Sequence, residues 1–337
     1  MRPYRVAVTG DQVTPDGQSI FGDIGLHRLT EAGLDWDVIP VPESTIPAER
    51  LRGFDALLLM GDRRVDASSL KGGRLRHVAR FGAGYDGVDV DACTQAGVFL
   101  TNTADAVREP MAHAALAMVL ALGHELFAKD RLVRTGRWDR RSEYQGRGLT
   151  GATVGVIGLG GVGARIAQTF RALGVTVVAY NRTPRPELER DLGLRQLPLL
   201  DVAAAADYLV VTVAGNPGTA GMVDATVLAR MKPSAYLVNV SRGVVVDETA
   251  LVVALRDGRI RGAALDVFEH EPLQPDSPLL ALDRVVLSPH SLCWTDTFAS
   301  AVADSAITAL VDVAERRVPE HPVNPAALAA ITRRESK

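Results

Sequence analysis

Between residues 152 and 182 the chain reads ATVGVIGLGGVGARIAQTFRALGVTVVAYNR: an apolar β-branched run, a glycine cluster, a helical pattern and a second apolar run. Gly158, Gly160 and Gly163 form G-x-G-x-x-G directly after the first run and at the start of a helix that Gly174 ends. The first glycine permits a tight turn, the second lets backbone approach a pyrophosphate, and the third allows close helix packing. The free N–H groups of the helix's first turn then face the anion. This order predicts a dinucleotide-binding βαβ unit; the plainer alternative is a tight strand-to-helix turn that holds no ligand.

The second strand of such a unit usually ends in Asp or Glu, which binds the adenosine ribose of NAD. Here the position reads Tyr180-Asn181-Arg182-Thr183. Asn181 removes the carboxylate that would repel a 2′-phosphate, and Arg182, with Arg185 nearby, can pair with one. NADP(H) is therefore favoured over NAD(H); were both arginines merely solvated, dual cofactor use would follow. Thr183, Val213, Val240 and Ser241, near the ends of strand-like runs, complete the cofactor candidates.

The same alternation of short apolar runs with longer helical patterns fills most of the chain. YRVAV, WDVIPV, DALLLM, HVARFGA and GVFLTN come before residue 103, and ATVGVIGL, VTVVAY, YLVVTV, AYLVNVS, GAALDVF and RVVLSP after it. Continuous apolar strands of this kind belong to parallel sheets covered on both faces, so the fold class is α/β with doubly wound sheets. Eleven strands in 337 residues imply two sheets and two domains. A boundary is expected after FLTN, where a long helix from Glu109 to Ala128 begins with Pro110 in its first turn. The helix DTFASAVADSAITALVDVAERR, if it packs back on the first domain, makes that domain discontinuous. GDQVTPDGQSIFGD reads as a polar loop.

A formal net charge of -3 shows no basic excess, which argues against nucleic acid or a membrane as partner and leaves small molecules. Cys93 and Cys293 make no disulfide scaffold and no metal-ligand spacing, so no metal site is expected. The run MAHAALAMVLALG is too short to span a bilayer and the N-terminus lacks a signal-like apolar core. A cytoplasmic protein is expected.

Three segments end strands of the second sheet, at the edge where open α/β sheets bind ligands: LVNVSRGVVVDETAL, GAALDVFEHEP and VVLSPHS. They carry Arg242, then Asp266 and Glu271, then His290. Hydride exchange between a nicotinamide and a 2-hydroxy acid needs a cation for the carboxylate or carbonyl and a base for the hydroxyl proton. Arginine's planar fork suits the first task. Histidine, ordinarily titrating at about pH 6.5, suits the second. A neighbouring carboxylate, for which Glu271 is the candidate, fixes the tautomer and stabilises imidazolium.

GLGGVGARIA, NVSRGVVVDETALVVAL, GAALDVFEHEP and LSPH, preceded by HVARFGAGYDGVDVDACTQAGVFLTN, resemble the NAD(P)-dependent D-2-hydroxyacid dehydrogenase family over nearly the whole chain. The resemblance implies Arg242 as the substrate-binding arginine, Glu271 as the partner of the histidine and His290 as the acid/base. It implies that Asp266 faces the nicotinamide amide and that Gly161 and Val162 lie against the pyrophosphate. In the run Gly82-Ala83-Gly84, Ala83 and Gly84 would offer N–H groups to the substrate carboxylate. It further implies a flavodoxin-like substrate domain, residues 1–103 and 296–337, and a Rossmann cofactor domain, residues 104–295. The substrate would close in a cleft between them, in a homodimer joined through the cofactor domains.

Two departures bear on the pocket: Ser291-Leu292-Cys293-Trp294 stands where relatives carry small residues, and Ala214-Gly215-Asn216 where they carry Pro-Leu. Met60 and Gly61 are candidates to line the substrate's distal end, and Arg63 or Arg64 could grip a phosphate unless merely solvated. Cys293 reads as a packed bystander. Trp294 reads as a pocket wall or a packing residue at a domain or dimer contact. Activity is expected on small 2-oxo acids such as glyoxylate or hydroxypyruvate. The alternatives are a formate- or phosphite-type dehydrogenase, or a dinucleotide-sensing corepressor.

Overall fold

The computed structural model describes residues 2–328. These divide into two compact units, one running to Val107 and resuming at Trp294, the other Arg108–Cys293.

The first unit contains β1 (Arg5–Thr9), the hairpin strands β2 (Gln18–Ser19) and β3 (Gly22–Asp23), β4 (Asp35–Ile39), β5 (Ala56–Leu59), β6 (His77–Arg80) and β7 (Phe99–Thr101). Five of these form an all-parallel sheet in the order β4-β1-β5-β6-β7. Setting the hairpin aside, this is the flavodoxin-like order, and it reverses between β1 and β5. All four residues of β5 are buried, as strands covered on both faces must be. The helix Asp296–Ala314 lies against β5 and β6. Its buried residues Phe298, Val302, Ala306 and Leu310 recur every four positions, one stripe of a helix, and Thr295 caps it by accepting from the Phe298 N–H. This helix is long and apolar enough to cross a membrane, but its apolar stripe is laid on the sheet.

The second unit contains β8 (Thr153–Ile157), β9 (Thr176–Tyr180), β10 (Arg195–Gln196), β11 (Tyr208–Val211), β12 (Tyr236–Asn239), β13 (Gly262–Leu265) and β14 (Val285–Leu287). They form one parallel sheet in the order β10-β9-β8-β11-β12-β13-β14, the Rossmann arrangement extended by a strand. Its order reverses between β8 and β11, so the turn after Ile157 and the segment after Val211 meet at the ligand-binding edge. Asp207, at the opposite edge, accepts from the Thr153 N–H and pairs with Lys232 and Arg147.

Three expectations need correction. The long helix begins at Ala104 rather than Glu109, which puts Pro110 in its interior, and it stops at Gly123. A second helix, Leu126–Arg134, follows after Glu125, which adopts a left-handed conformation at φ 52° and breaks the path. The segment 10–23 is not wholly loop: it pairs into the β2–β3 hairpin, too short to show alternation. The edge strand β10 is likewise only two residues long.

Candidate active site

The phosphate loop takes the form its glycines demand. Gly158 has φ 101°, open to glycine without strain, and a Cβ there would lie 2.8 Å from Val213 Cγ1. A Cβ on Gly163 would overlap the Gly158 carbonyl, so the helix Gly161–Ala172 sits directly against the turn. Gly160, its N-cap, faces open space, and no side chain caps that helix. The N–H groups of its first turn thus have no partner within the helix and no side-chain cap. This cradle fits the diphosphate of a dinucleotide. Val240 is buried in the sheet's core, Val162 packs partly buried against it, and Val213 touches the loop through its side chain.

Asn181 does more than remove a charge. Its Oδ1 accepts from the Leu159 N–H at 2.9 Å and its Nδ2 donates to the Thr183 carbonyl at 2.6 Å, bracing the glycine turn from the end of β9. Arg182 and Thr183 are exposed beside it, and Arg182 has no hydrogen-bond or ion-pair partner among the described residues. Arg185 differs: it pairs with Glu187 at 2.6 Å, which takes up much of its charge.

Arg242, Asp266, Glu271 and His290 are brought to one edge of the same sheet, past the ends of β12, β13 and β14. His290 Nδ1 lies 2.7 Å from Glu271 Oε2, and its ring is about two-fifths exposed. Glu271 also accepts from the Phe268 N–H at 3.0 Å. Burial pushes the Glu271 carboxyl up, but the bonds from His290 and Phe268 and the charges of His290 and Arg242 outweigh it and hold it below the usual glutamate value. Because a carboxylate engages Nδ1, Nε2 is the nitrogen left to meet a reacting oxygen.

His290 itself stands at φ 54°, a conformation that costs a non-glycine residue on the order of 1 kcal/mol or more. Asp266 helps to hold it there. Its Oδ1 accepts from the N–H groups of Ser291 and Leu292, both at 3.1 Å, so the buried carboxyl pins the turn just past the histidine. Burial raises the Asp266 pKa despite bonds from Ser288, Leu292 and Ser291 and the charge of His290.

Two residues shape the arginine: Asn239, which the sequence did not single out, and Gly215, noted there only as part of a departure. Asn239 Oδ1 accepts from Ser241 N–H and Oγ, while its Nδ2 donates to the Arg242 carbonyl, fixing the turn after β12. Gly215 makes room for the Arg242 stem: a Cβ there would lie 2.8 Å from Arg242 Cγ. That gives the Ala214-Gly215-Asn216 departure a steric reason.

The remaining candidates lie in the first unit. Asn102 Nδ2 donates to the Ala83 carbonyl, Arg80 Nε to the Gly84 carbonyl and Gly82 N–H to Thr103 Oγ1. The carbonyls are tied back, and the N–H groups of Ala83 and Gly84 have no acceptor among the described residues. Met60 is a correction: it is fully buried, and both its backbone groups bond Thr9, so it offers no surface to a ligand here. Gly61, at φ 67°, abuts Asp11, which pairs with Arg63 at 3.6 Å; Arg63 is therefore not simply solvated. Trp294 stands edge-on to Phe21 at 4.8 Å, and Phe21 stacks on Phe81 at 5.6 Å, so the tryptophan packs against the hairpin's tip. Cys293 is buried, and burial next to Asp266 pushes its thiol up to about 12, unfit for a nucleophile. His77 is a core residue of β6 whose burial lowers it to about 3.

A dinucleotide cradle, a carboxylate-backed histidine and an arginine on one Rossmann sheet define an NAD(P)-dependent oxidoreductase. The family model for the NAD-binding domain of D-isomer-specific 2-hydroxyacid dehydrogenases matches residues 116–291. A glyoxylate reductase of Korarchaeum cryptofilum is 35% identical over 306 residues, 89% of this chain and 92% of that protein. A D-3-phosphoglycerate dehydrogenase of Mycobacterium tuberculosis is 38% identical over 92% of this chain, which spans 56% of that longer protein. Among solved structures, an NADPH-dependent glyoxylate/hydroxypyruvate reductase of Sinorhizobium meliloti, in complex with NADP and malonate, superposes with a TM-score of 0.82 at 33% identity, covering 97% of this chain and 98% of the other. The chain belongs to the D-2-hydroxyacid dehydrogenase family, NAD(P)-dependent oxidoreductases that reduce 2-oxo acids.

Proposed function

We propose that the protein is an NADPH-preferring reductase of small 2-oxo acids, glyoxylate and hydroxypyruvate foremost, that yields D-2-hydroxy acids. The observation that carries this reading is the 2.7 Å bond between His290 Nδ1 and Glu271 Oε2 beside Arg242. When bound, NADPH supplies the hydride. His290 gives the proton on Nε2 to the carbonyl oxygen as that oxygen gains charge, and Glu271 stabilises the imidazolium that must form first. Arg242 steadies the carboxylate and polarises the carbonyl. The reading assigns the Ala83 and Gly84 N–H groups to the substrate carboxylate, Gly160, Gly161 and Gly163 to the diphosphate and Arg182 to the 2′-phosphate. Asp266 pins the histidine's turn, and on this reading it would also lie toward the nicotinamide amide of a bound cofactor. The NADP-bound relative and the exposed Arg182 support the cofactor preference.

We further infer a homodimer formed through the second unit. Leu126, Phe127, Val133 and Trp138 follow one another along 126–138, each more than half exposed, a patch that a second copy would cover. Light scattering on Phe127→Glu should then report a monomer. The two cysteines, both free, suit a cytoplasmic setting.

A panel of 2-oxo acids, including glyoxylate, hydroxypyruvate and 3-phosphohydroxypyruvate, assayed with NADPH and NADH in parallel, tests substrate and cofactor together. Turnover fastest with glyoxylate or hydroxypyruvate and NADPH is expected. Turnover with none of them would point instead to a formate- or phosphite-type activity or to a non-enzymatic sensor.

A further inference from the structure

The helix Ala104–Gly123 brings an arginine to the glycine cradle that no dinucleotide motif contains. A Cβ built on Gly161 would overlap Arg108 Nε and lie 3.0 Å from its Cζ and 3.1 Å from Nη2, so the guanidinium rests on the bare Cα of the helix's first residue. The next residue holds it there. Glu109 accepts from Arg165 Nε and, at 2.7 Å, from Nη2, and Arg165 stands one turn beyond Gly161 on the same helix. The clamp between Glu109 and Arg165 thus fixes the two helices side by side, with Arg108 over the glycine.

The placement stacks two features of one sign. The N-terminus of the helix Gly161–Ala172 carries about half a positive charge, and its first turn contains no acidic residue and no side-chain cap. An anion seated between the guanidinium and that end would be attracted by both and would accept bonds from both. We propose that Arg108 is a cofactor-binding residue that grips the dinucleotide's diphosphate from the side opposite the helix N–H groups. Gly161 has no side chain because the arginine occupies the space. The assignment rests on the proposed dinucleotide reading and adds a residue to it from outside the glycine motif.

The test is direct binding rather than turnover. Charge-assisted bonds to a phosphate are strong enough that Arg108→Leu should raise the NADPH dissociation constant, read by quenching or nucleotide fluorescence, about tenfold or more. Inorganic pyrophosphate should compete with NADPH on the unaltered protein and lose most of that effect in Arg108→Leu. Arg108→Lys should recover part of both. Arg256→Leu, an exposed arginine on another helix, serves as the control and should match the unaltered protein. Thermal unfolding of each variant without nucleotide shows whether the fold survives; if Arg108→Leu fails to fold, Arg108→Lys and the pyrophosphate competition on the unaltered protein decide. An NADPH dissociation constant unchanged by either Arg108 variant, or no competition by pyrophosphate, overturns the assignment. If the unaltered protein binds neither NADPH nor NADH, the dinucleotide reading falls and this assignment with it.

Discussion

His290 Nδ1 and Glu271 Oε2 are 2.7 Å apart, across nineteen residues of sequence, at the ends of two adjacent parallel strands. The register of β13 against β14, Leu265 beside Leu287, brings the two segments that follow to the same edge of the sheet. Glu271 is held below the usual glutamate value, so it is a carboxylate throughout the neutral range; its support for the imidazolium disappears only as pH falls through that depressed value. If His290 supplies the proton of the reduction, reductive kcat/KM should decline as pH rises. Glu271→Gln removes the anion, lowers reductive kcat/KM roughly tenfold or more and moves the decline to lower pH. A pH–rate profile superimposable on that of the unaltered enzyme would refute the pairing's catalytic role.

Asp266 acts on the histidine through the backbone. Asp266→Leu leaves the Ser291 and Leu292 N–H groups without their buried acceptor, a loss of about 1–3 kcal/mol. Reductive kcat should fall with it as the turn relaxes. Asp266→Asn keeps an oxygen acceptor and should retain most of the folding stability, which denaturant unfolding of the two variants would compare. Equal stability of both would show that the two bonds do not hold the turn.

Selectivity between cofactors should sit at Arg182 rather than Asn181, because the Asn181 amide is occupied on both sides by Leu159 and Thr183. Arg182→Ala should raise KM for NADPH about tenfold and leave KM for NADH nearly unchanged. Steady-state assays with each nucleotide check this, and an equal rise for both would place the 2′-phosphate elsewhere.

Asp207 ties the far edge of the same sheet. Burial alone would raise its carboxyl, but the Thr153 N–H, Lys232 and Arg147 hold it below the usual aspartate value. For such a group the stabilisation is fully present above the ordinary aspartate pKa and is lost as pH falls through the depressed folded value. Asp207→Asn should therefore lower the melting temperature at neutral pH and reduce its dependence on pH in the acid range. A variant whose melting temperature keeps the same acid dependence would show that other carboxylates account for it.

How much of this was legible in the sequence follows from burial. Strands such as β5 and β11 are covered on both faces, so their apolar runs could hardly be read otherwise. The two-residue strands β2, β3 and β10 carry no periodicity, and only pairing defines them. Arg242, Glu271 and His290 could be picked out as candidates because their residue types suit one reaction and each follows a strand, and the fold brings them to one edge. Arg108, Asn239 and Gly215 were not, because their roles arise from what the fold places beside them. Met60 was misjudged for the converse reason: a position at a sheet's ligand edge need not turn its side chain toward solvent. Pro110 misled on the helix start, since proline suits a first turn but is here tolerated inside.

The central claim is that His290 delivers the proton in a nicotinamide-dependent reduction of a 2-oxo acid. It is tested most directly by glyoxylate-dependent oxidation of NADPH, followed at 340 nm, for the unaltered enzyme and His290→Asn with NADPH binding verified in both. The account predicts turnover by the first and a loss on the order of a hundredfold or more in kcat for the second, with NADPH still bound. A His290→Asn enzyme that binds NADPH and turns over glyoxylate at the unaltered rate would contradict it.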